Sequence, residues 1–286
     1  MATSTLLTRV TRPVPVGSVL TRPGVRTSTF VVAALVALNL ATHLFGAPTW
    51  VRIAAVLGLL VVVRRRGLTW SQLGLGRARL RVGAVWAAAS IAAVAAVYAV
   101  GLLLPFSRQA FLDVRYHLPV PEALTSAFFV IPVGTVLAEE IAFRSVLHGV
   151  LTRHMSVRRA VIVGSVAFGL WHVLPSLRLV SANAAVGSMV GSAGGSATLV
   201  AVATTVLFTT VAGVVLSWWR MRSGSLLASI GMHWATNGLG VLFGMGEKEL
   251  GRRIGDSYKA RELIAQHRAI GRLAADLVGR IFGTPE

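Results

Sequence analysis

Residues 124–151 decide the class of fold, and they read LTSAFFVIPVGTVLAEEIAFRSVLHGVL. This apolar stretch is longer than the roughly 20 residues that a helix needs to cross a bilayer. It nevertheless contains three charged residues, Glu139, Glu140 and Arg144. A charged side chain at the bilayer centre costs roughly 2.5–3.5 kcal/mol on insertion scales, so we expect this helix to face protein rather than lipid. The stretch therefore predicts a membrane helix that carries a buried polar site.

Shorter apolar segments on both sides of this stretch also have lengths typical of membrane helices. They cover roughly residues 30–46, 49–63, 83–105, 160–175, 197–219 and 224–244. The second of them is short and contains Arg52, so we expect a tilted or partial span. The chain is 55% hydrophobic and 13% charged, whereas a soluble domain carries about 25% charged residues. We therefore predict an all-α fold, a polytopic membrane helix bundle of about six to eight transmembrane helices.

The two ends of the chain differ from its middle in composition. Residues 1–29 are polar, rich in arginine and contain three prolines, which is typical of a flexible basic arm. Apolar residues recur at helical spacing within residues 247–286, which indicates an amphipathic tail, either a helix on the membrane surface or a soluble partner of the bundle. Between them we predict one transmembrane domain over residues 30–246, with its motif core in residues 120–245.

Arginine residues lie between the apolar segments and contribute to a net charge of +18. They form no single basic face, so the charge indicates membrane lipid as a partner and argues against nucleic acid. If the N-terminus is cytoplasmic, most arginines of the loops lie on the inner side, as the positive-inside rule requires. We therefore predict an integral, multi-pass membrane protein with a cytoplasmic N-terminus and a cytoplasmic loop over residues 64–82.

Titratable side chains on three apolar segments are predicted to lie at a similar depth in the membrane. Glu139 comes 17 residues before the turn near residue 156, and His172 comes 16 residues after it. In an antiparallel helix pair, equal separations from the turn give equal depths. His233 lies about 15 Å into its own segment at 1.5 Å per residue. We therefore expect Glu139, His172 and His233 to converge on one cavity near the middle of the bilayer.

The two adjacent glutamates are expected to have different surroundings. Neighbouring helix positions differ by about 100°, so the carboxylates cannot point the same way. Glu140 and Arg144 are four residues apart and share a face, so they could form an ion pair that only neutralises both. That pair would leave Glu139 either protonated or with a partner on another helix.

His233 and Asn237 are four residues apart and line one helix face. Together they offer hydrogen-bond donors to a developing oxyanion, and a glutamate beside a second histidine can deprotonate a water molecule. These groups suffice for the hydrolysis of an amide without a covalent nucleophile. The chain has no cysteine, and it contains neither a His-Glu-x-x-His zinc motif nor a Gly-x-Ser-x-Gly nucleophile motif.

Three motifs resemble those of the CPBP family, the CAAX protease and bacteriocin-processing intramembrane proteases, also called the Abi family. Glu-Glu-x-x-x-Arg stands at residues 139–144, Phe-x-x-x-His at residues 168–172 and His-x-x-x-Asn at residues 233–237. The resemblance covers roughly residues 120–245. It implies an intramembrane endopeptidase, and hence that the transmembrane domain is a protease domain.

The resemblance also implies a role for each motif residue. Glu139 and His172 would activate the attacking water, while His233 and Asn237 would stabilise the oxyanion. Two further residues would organise the site. These supporting residues are Glu140 and Arg144.

Other functions and a metal site stay open at the level of the sequence. A non-catalytic membrane immunity or scaffold module could keep the motifs, and a proton-coupled transporter could use buried Glu and His as a relay. The complete set of motifs favours the enzyme, with a peptide or protein substrate that enters from the bilayer or the cytoplasmic side. Zinc could be held by Glu139, His172 and His233. However, no two histidines share a helix at ligand spacing and a carboxylate–imidazole pair can activate water unaided, so we predict no obligatory cofactor.

Overall fold

The structure, a computed structural model, describes residues 23–104, 107, 111, 118–177 and 196–254. These residues form seven main helices and contain no strand, which confirms the predicted all-α fold. A 3-10 turn precedes the third helix and a short helical turn follows the fifth. The helices are α1 (Pro23–His43), α2 (Thr49–Arg65), α3 (Leu80–Leu103), α4 (Val120–Leu151), α5 (Val157–Trp171), α6 (Ala197–Ser223) and α7 (Leu226–Ile254).

Six of these helices are long and apolar enough to cross a membrane, and α2 is the exception. With 17 residues, α2 is about 25 Å long, which is shorter than the apolar core of a bilayer. It is the segment that the sequence predicts to be a partial span. The chain is thus a multi-pass integral membrane protein, and the cytoplasmic location of its N-terminus stays a prediction.

The first helix begins earlier than its apolar residues indicate. We predicted a flexible arm over residues 1–29, yet α1 starts at Pro23. Proline favours the first position of a helix because its φ angle is already helical and no N–H is left unpaired there. The rest of the predicted arm, residues 1–22, lies outside the described residues. Of the tail predicted over residues 247–286, the first eight residues continue α7 as far as Ile254, and residues 255–286 lie outside the described residues.

The fourth helix is irregular along much of its length. Two segments, Ser126–Leu137 and Glu140–Leu147, have the i→i+5 hydrogen bonds of a π-helix. Pro132 lies in the first segment, where its missing N–H and its ring disfavour regular α-helical turns. The second segment carries both Glu140 and Arg144. Because π-turns are rare and often occur at functional sites, these turns indicate that α4 carries a functional site.

The second half of α4 is the centre of the bundle. Every residue from 138 to 151 is buried, and α1, α2, α5 and α7 pack around this segment. Its apolar side chains join one core cluster with residues of these helices, such as Val31 and Phe168. The first half of α4 instead exposes large apolar side chains such as Phe129, which is 68% exposed. The expectation that the charged part of the stretch faces protein is therefore confirmed.

Helices α5 and α6 approach each other closely at Gly169. A Cβ atom at this position would collide with the Thr210 hydroxyl and would lie 2.8 Å from the carbonyl oxygen of Val206. Small residues allow membrane helices to pack backbone against backbone. This contact fixes the position of α5, whose end carries Trp171 and is followed directly by His172.

Candidate active site

The acidic residues of α4 meet side chains from α5 and α7 inside the bundle. Glu139, Glu140 and Arg144 are buried, with 5%, 0% and 2% of their surface exposed. His233 is 6% exposed, and it lies about 10 Å along α7 from its first residue. Charged groups withdrawn from solvent are costly unless they are paired and hydrogen-bonded, so each contact within this cluster matters.

Glu140 is held from two sides by cationic or hydrogen-bonding groups. Its Oε1 atom lies 3.1 Å from Nη1 of Arg144, one turn further along α4, so the predicted ion pair is present. The same oxygen lies 2.9 Å from Nδ1 of His233. Because an ionised carboxylate can only accept, this hydrogen bond places a proton on Nδ1 and turns Nε2 away from Glu140.

Arg144 connects the first motif to the second. Its guanidinium carbon lies 3.8 Å from the centroid of the Phe168 ring on α5. An arginine over an aromatic face is attracted by the ring electrons, and the attraction grows when the pair is withdrawn from water. The Phe168 ring also packs edge-on against Phe143, with centroids 5.2 Å apart. Arg144 is thus fixed by Glu140 on its own helix and by an aromatic ring on the next.

Glu139 finds its partners on other helices, as expected for the glutamate that Arg144 does not neutralise. The indole N–H of Trp171 donates to its Oε1 atom at 3.1 Å. Its Oε2 atom lies 3.8 Å from Nε2 of His233, and this oxygen has no hydrogen-bond partner among the described residues. One carboxylate oxygen is therefore anchored, and the other faces the imidazole across a gap too long for a direct hydrogen bond.

Trp171 is a site residue that the sequence analysis missed. It stands directly before His172 within the second motif. A buried indole needs an acceptor for its N–H, and an unpaired glutamate predicted at the same depth offers one. That pairing could have been proposed from the sequence.

The glutamates approach His233 from opposite edges of its ring, Glu140 at Nδ1 and Glu139 at Nε2. The two carboxylates thus point in different directions, as their adjacent helix positions require, and still share one partner that lies between them. With Arg144, two ionised carboxylates leave one negative charge unbalanced.

His172 lies beside this cluster and does not join it directly. Its Nδ1 atom lies 2.8 Å from the carbonyl oxygen of Phe168, and its ring packs edge-on against the Phe168 ring, with centroids 4.7 Å apart. A carbonyl only accepts, so Nδ1 carries a proton and Nε2 is free to accept. Within the described part of the chain, His172 makes no hydrogen bond or ion pair with Glu139. Phe168 separates the two histidines, since its ring centroid is also 6.0 Å from that of His233.

Asn237 follows His233 by one turn of α7 and is half-buried. Its side-chain amide makes no hydrogen bond to any residue that the structure describes. The amide therefore keeps both of its N–H donors available on the helix face that carries His233.

The residues proposed for zinc do not assemble as a ligand set. Over the described ranges, no group of three His, Cys, Asp or Glu side chains has an arrangement suited to a metal ion. The Nδ1 atom of His233 is occupied by Glu140, and His172 is bonded to its own helix. We therefore derive no step through a metal.

The comparisons with known proteins concern the same part of the chain. The family model described as type II CAAX prenyl endopeptidase Rce1-like matches residues 121–239. No curated protein and no solved structure matches the chain. The matched range begins in the first turn of α4 and ends in α7 after Asn237, so it contains all three motifs. Over residues 121–239, the chain is therefore similar to the Rce1-like type II CAAX prenyl endopeptidases.

Proposed function

We propose that this protein is an intramembrane endopeptidase in which Glu139 activates water to hydrolyse a peptide bond of a membrane-associated protein or peptide. The observation that carries the proposal is the state of the Glu139 carboxylate. One of its oxygens is fixed by the Trp171 indole. The other is buried, faces His233 and has no hydrogen-bond partner in the part of the chain that the structure describes. A general base needs this combination of a fixed position and a free lone pair.

Glu139 acts first as the base. A water molecule between Oε2 of Glu139 and the substrate carbonyl gives up a proton to Oε2 while its oxygen attacks the carbonyl carbon. We assign His172 a supporting role in this step from its place in the second motif, since its Nε2 atom is free to accept a hydrogen bond. Burial of the cluster strengthens each of these hydrogen bonds, because the local dielectric constant is low.

His233 and Asn237 stabilise the oxyanion that this attack creates. In this scheme the Nε2 atom of His233, which lies 3.8 Å from Oε2 of Glu139 and beyond hydrogen-bond distance, donates to the oxyanion. The Asn237 amide supplies a second donor one turn along α7. Two fixed donors at a developing oxyanion are worth several kcal/mol, with each typically contributing about 100-fold or more to kcat.

Collapse of the tetrahedral intermediate completes the reaction. The C–N bond breaks, the proton held by Glu139 passes to the leaving nitrogen, and an amine and a carboxylic acid are released. Glu140 and Arg144 touch neither water nor substrate in this scheme. They hold His233 in position and keep a proton on its Nδ1 atom, so they are positioning residues.

Replacement of Glu139 by glutamine tests the proposal. The amide still accepts a hydrogen bond from Trp171 and has nearly the shape of the carboxylate, but it cannot take a proton. We expect membrane peptides that the parent protein cuts to accumulate uncut with Glu139→Gln, as measured by quantitative mass spectrometry of membrane peptides. The matched control is Glu122→Gln, since Glu122 is an exposed acid in the first turn of the same helix.

The comparison of peptide sets shows whether the protein acts as an enzyme or as a non-catalytic binding module. A peptide that accumulates with Glu139→Gln and not with Glu122→Gln supports hydrolysis by this site. Identical peptide sets for the parent and Glu139→Gln, at equal protein levels, would show that the chain acts without catalysis.

Metal analysis of the active purified protein belongs to the same experiment. Stoichiometric zinc whose removal abolishes cleavage, and whose return restores it, would overturn the metal-independent scheme.

A further inference from the structure

A cleft of about 530 Å³ opens at the end of the bundle that is opposite the exposed half of α4. It is lined by Gly24 and Thr27 in the first turns of α1, by Arg66 directly after α2, and by Arg153 in the turn between α4 and α5. Two arginines from distant parts of the sequence thus meet at the start of a helix. None of these residues belongs to the candidate active site.

The position of Arg66 is set by the backbone that ends α2. The N–H of Leu68 bonds to the carbonyl of Val63 at 3.1 Å, and the N–H of Gly67 bonds to the carbonyl of Arg64 at 2.9 Å. These two bonds form a Schellman motif, in which the residue after the cap adopts positive φ. Gly67 has φ +86°, a conformation that glycine adopts without strain. Arg66 is therefore held at a defined point and not on a loose loop.

The two arginines are tied to the walls of the cleft through single hydrogen bonds. Nη1 of Arg66 donates to the Thr27 hydroxyl at 3.1 Å, and Nη1 of Arg153 donates to the carbonyl oxygen of Arg66 at 2.7 Å. A guanidinium has five N–H donors in a planar fork, so most donors of both side chains remain available. Neither arginine forms an ion pair with any acidic side chain that the structure describes.

The positive charge of the cleft favours the binding of an anion. Two arginine side chains line this cleft without an acidic partner in the part of the chain that the structure describes, and the N-terminus of α1 adds the positive end of a helix dipole. Gly24 has no side chain at this helix end, and the His154 side chain lies against it, 3.5 Å from the position that a Cβ atom would take. Arginine forks match the oxygens of a phosphate group, with two parallel hydrogen bonds per fork. Basic pockets between membrane helices bind lipid headgroups through the same chemistry.

We propose that this cleft binds a phosphate-bearing anion, either the headgroup of an anionic phospholipid or free phosphate, between Arg66, Arg153 and the start of α1. The bound phosphate joins α1, the end of α2 and the turn after α4, which is the helix that carries the glutamates. Because the anion binds only where these elements meet, it stabilises the folded protein over the unfolded one. This inference does not depend on peptidase activity.

Thermal unfolding of the full chain in lipid nanodiscs tests the site. Three conditions are compared: phosphatidylcholine alone, phosphatidylcholine with phosphatidylglycerol, and phosphatidylcholine with inorganic phosphate in the buffer. We expect phosphatidylglycerol to raise Tm by at least about 3 °C, the shift that roughly 1 kcal/mol gives in a protein of this size. The shift should vanish in the double variant Arg66→Gln, Arg153→Gln.

A matched control removes the same charge from the same end of the bundle. Arg65 and Arg159 are exposed neighbours that do not line the cleft, so the variant Arg65→Gln, Arg159→Gln should keep the full lipid-dependent shift. The variant Arg66→Lys, Arg153→Lys keeps the positive charge but lacks the planar fork, so it should keep only part of the lipid-dependent Tm shift. Tm in phosphatidylcholine alone shows that each variant is folded, and native mass spectrometry counts the retained phosphatidylglycerol.

Each outcome decides the proposal. A shift with phosphatidylglycerol only, lost in the cleft variant, assigns the site to a lipid headgroup. The same shift with inorganic phosphate assigns it to free phosphate. Equal losses in the cleft and control variants would show that general surface charge is responsible, and no shift in the parent protein would show that the cleft holds no such anion. Either of these last two results overturns the proposal.

Discussion

Replacement of Arg144 by methionine removes one partner of a fully buried ion pair while it keeps most of the volume of the side chain. Glu140 would lose its cationic neighbour at 3.1 Å, and Phe168 would lose the guanidinium that lies 3.8 Å above its ring. Breaking a buried pair by removing one partner costs roughly 3–5 kcal/mol, because the remaining charge stays buried. The lost cation–π contact adds about 1 kcal/mol. At 2–4 °C per kcal/mol, we expect Tm to fall by about 10 °C or more.

A second variant shows whether the stranded carboxylate causes this loss. Glu140→Gln combined with Arg144→Met leaves no unpaired charge, and the glutamine oxygen can still accept a hydrogen bond from Nδ1 of His233. We expect the double variant to be more stable than Arg144→Met alone by roughly 2 kcal/mol, since a neutral group replaces a buried charge. Tm in detergent, together with the yield of monodisperse protein, measures the difference.

Two results would refute this reasoning about the pair. The first is an Arg144→Met variant that keeps the parent Tm and loses activity, which would make Arg144 a substrate-binding residue rather than a structural one. The second is a double variant no more stable than Arg144→Met, which would show that the arginine acts through packing against Phe168 and not through its charge.

Four further predictions concern the remaining residues of the site, the packing of α5 and the topology. Asn237→Ala should lower kcat about 100-fold with little change in KM, as for the loss of one oxyanion donor; a change in KM alone would argue for ground-state binding. Trp171→Phe keeps the packing but frees Oε1 of Glu139, and should lower kcat about tenfold; unchanged kcat would show that the indole does not position the base. Gly169→Ala should destabilise the protein by about 1–3 kcal/mol through overpacking, whereas the control Gly164→Ala, with open space around its Cβ, should not; equal effects would refute the close α5–α6 contact. A reporter fused at residue 75 should read cytoplasmic, and an extracytoplasmic signal would reverse the predicted orientation.

The helices could be predicted from the sequence because lipid imposes a simple rule on it. A spanning helix needs a long apolar run, and the predicted segments coincide with the observed helices to within a few residues at most ends. The start of α1 at Pro23 differs because proline, a residue of low hydropathy, initiates helices well. The π-helical turns of α4 could not be predicted, since they depend on how Pro132 and the neighbouring helices constrain the backbone and not on periodicity.

One contact of the candidate site could be predicted from the sequence, and the others could not. Spacing along α4 indicates that Glu140 and Arg144 pair, because four residues bring two side chains to one face. No such rule indicates that His233 bridges both glutamates or that Trp171 reaches Glu139, because these contacts depend on the rotation of α5 and α7. That rotation is set by close contacts such as the one at Gly169. The basic cleft also could not be predicted from the sequence, because Arg66 and Arg153 are 87 residues apart and meet only through the packing of the helices.

The bridge between Glu140 and His233 also constrains how the chain is made. The two residues are separated by 93 positions, so α4 leaves the ribosome well before α7 does. During that interval Glu139 has no imidazole beside it, and Arg144 can balance only one of the two carboxylates. A helix with an unbalanced charge partitions poorly into lipid. Until α7 is made, α4 must therefore stay with the insertion machinery or carry a protonated glutamate. A chain that terminates before residue 233 should be removed by quality-control proteases.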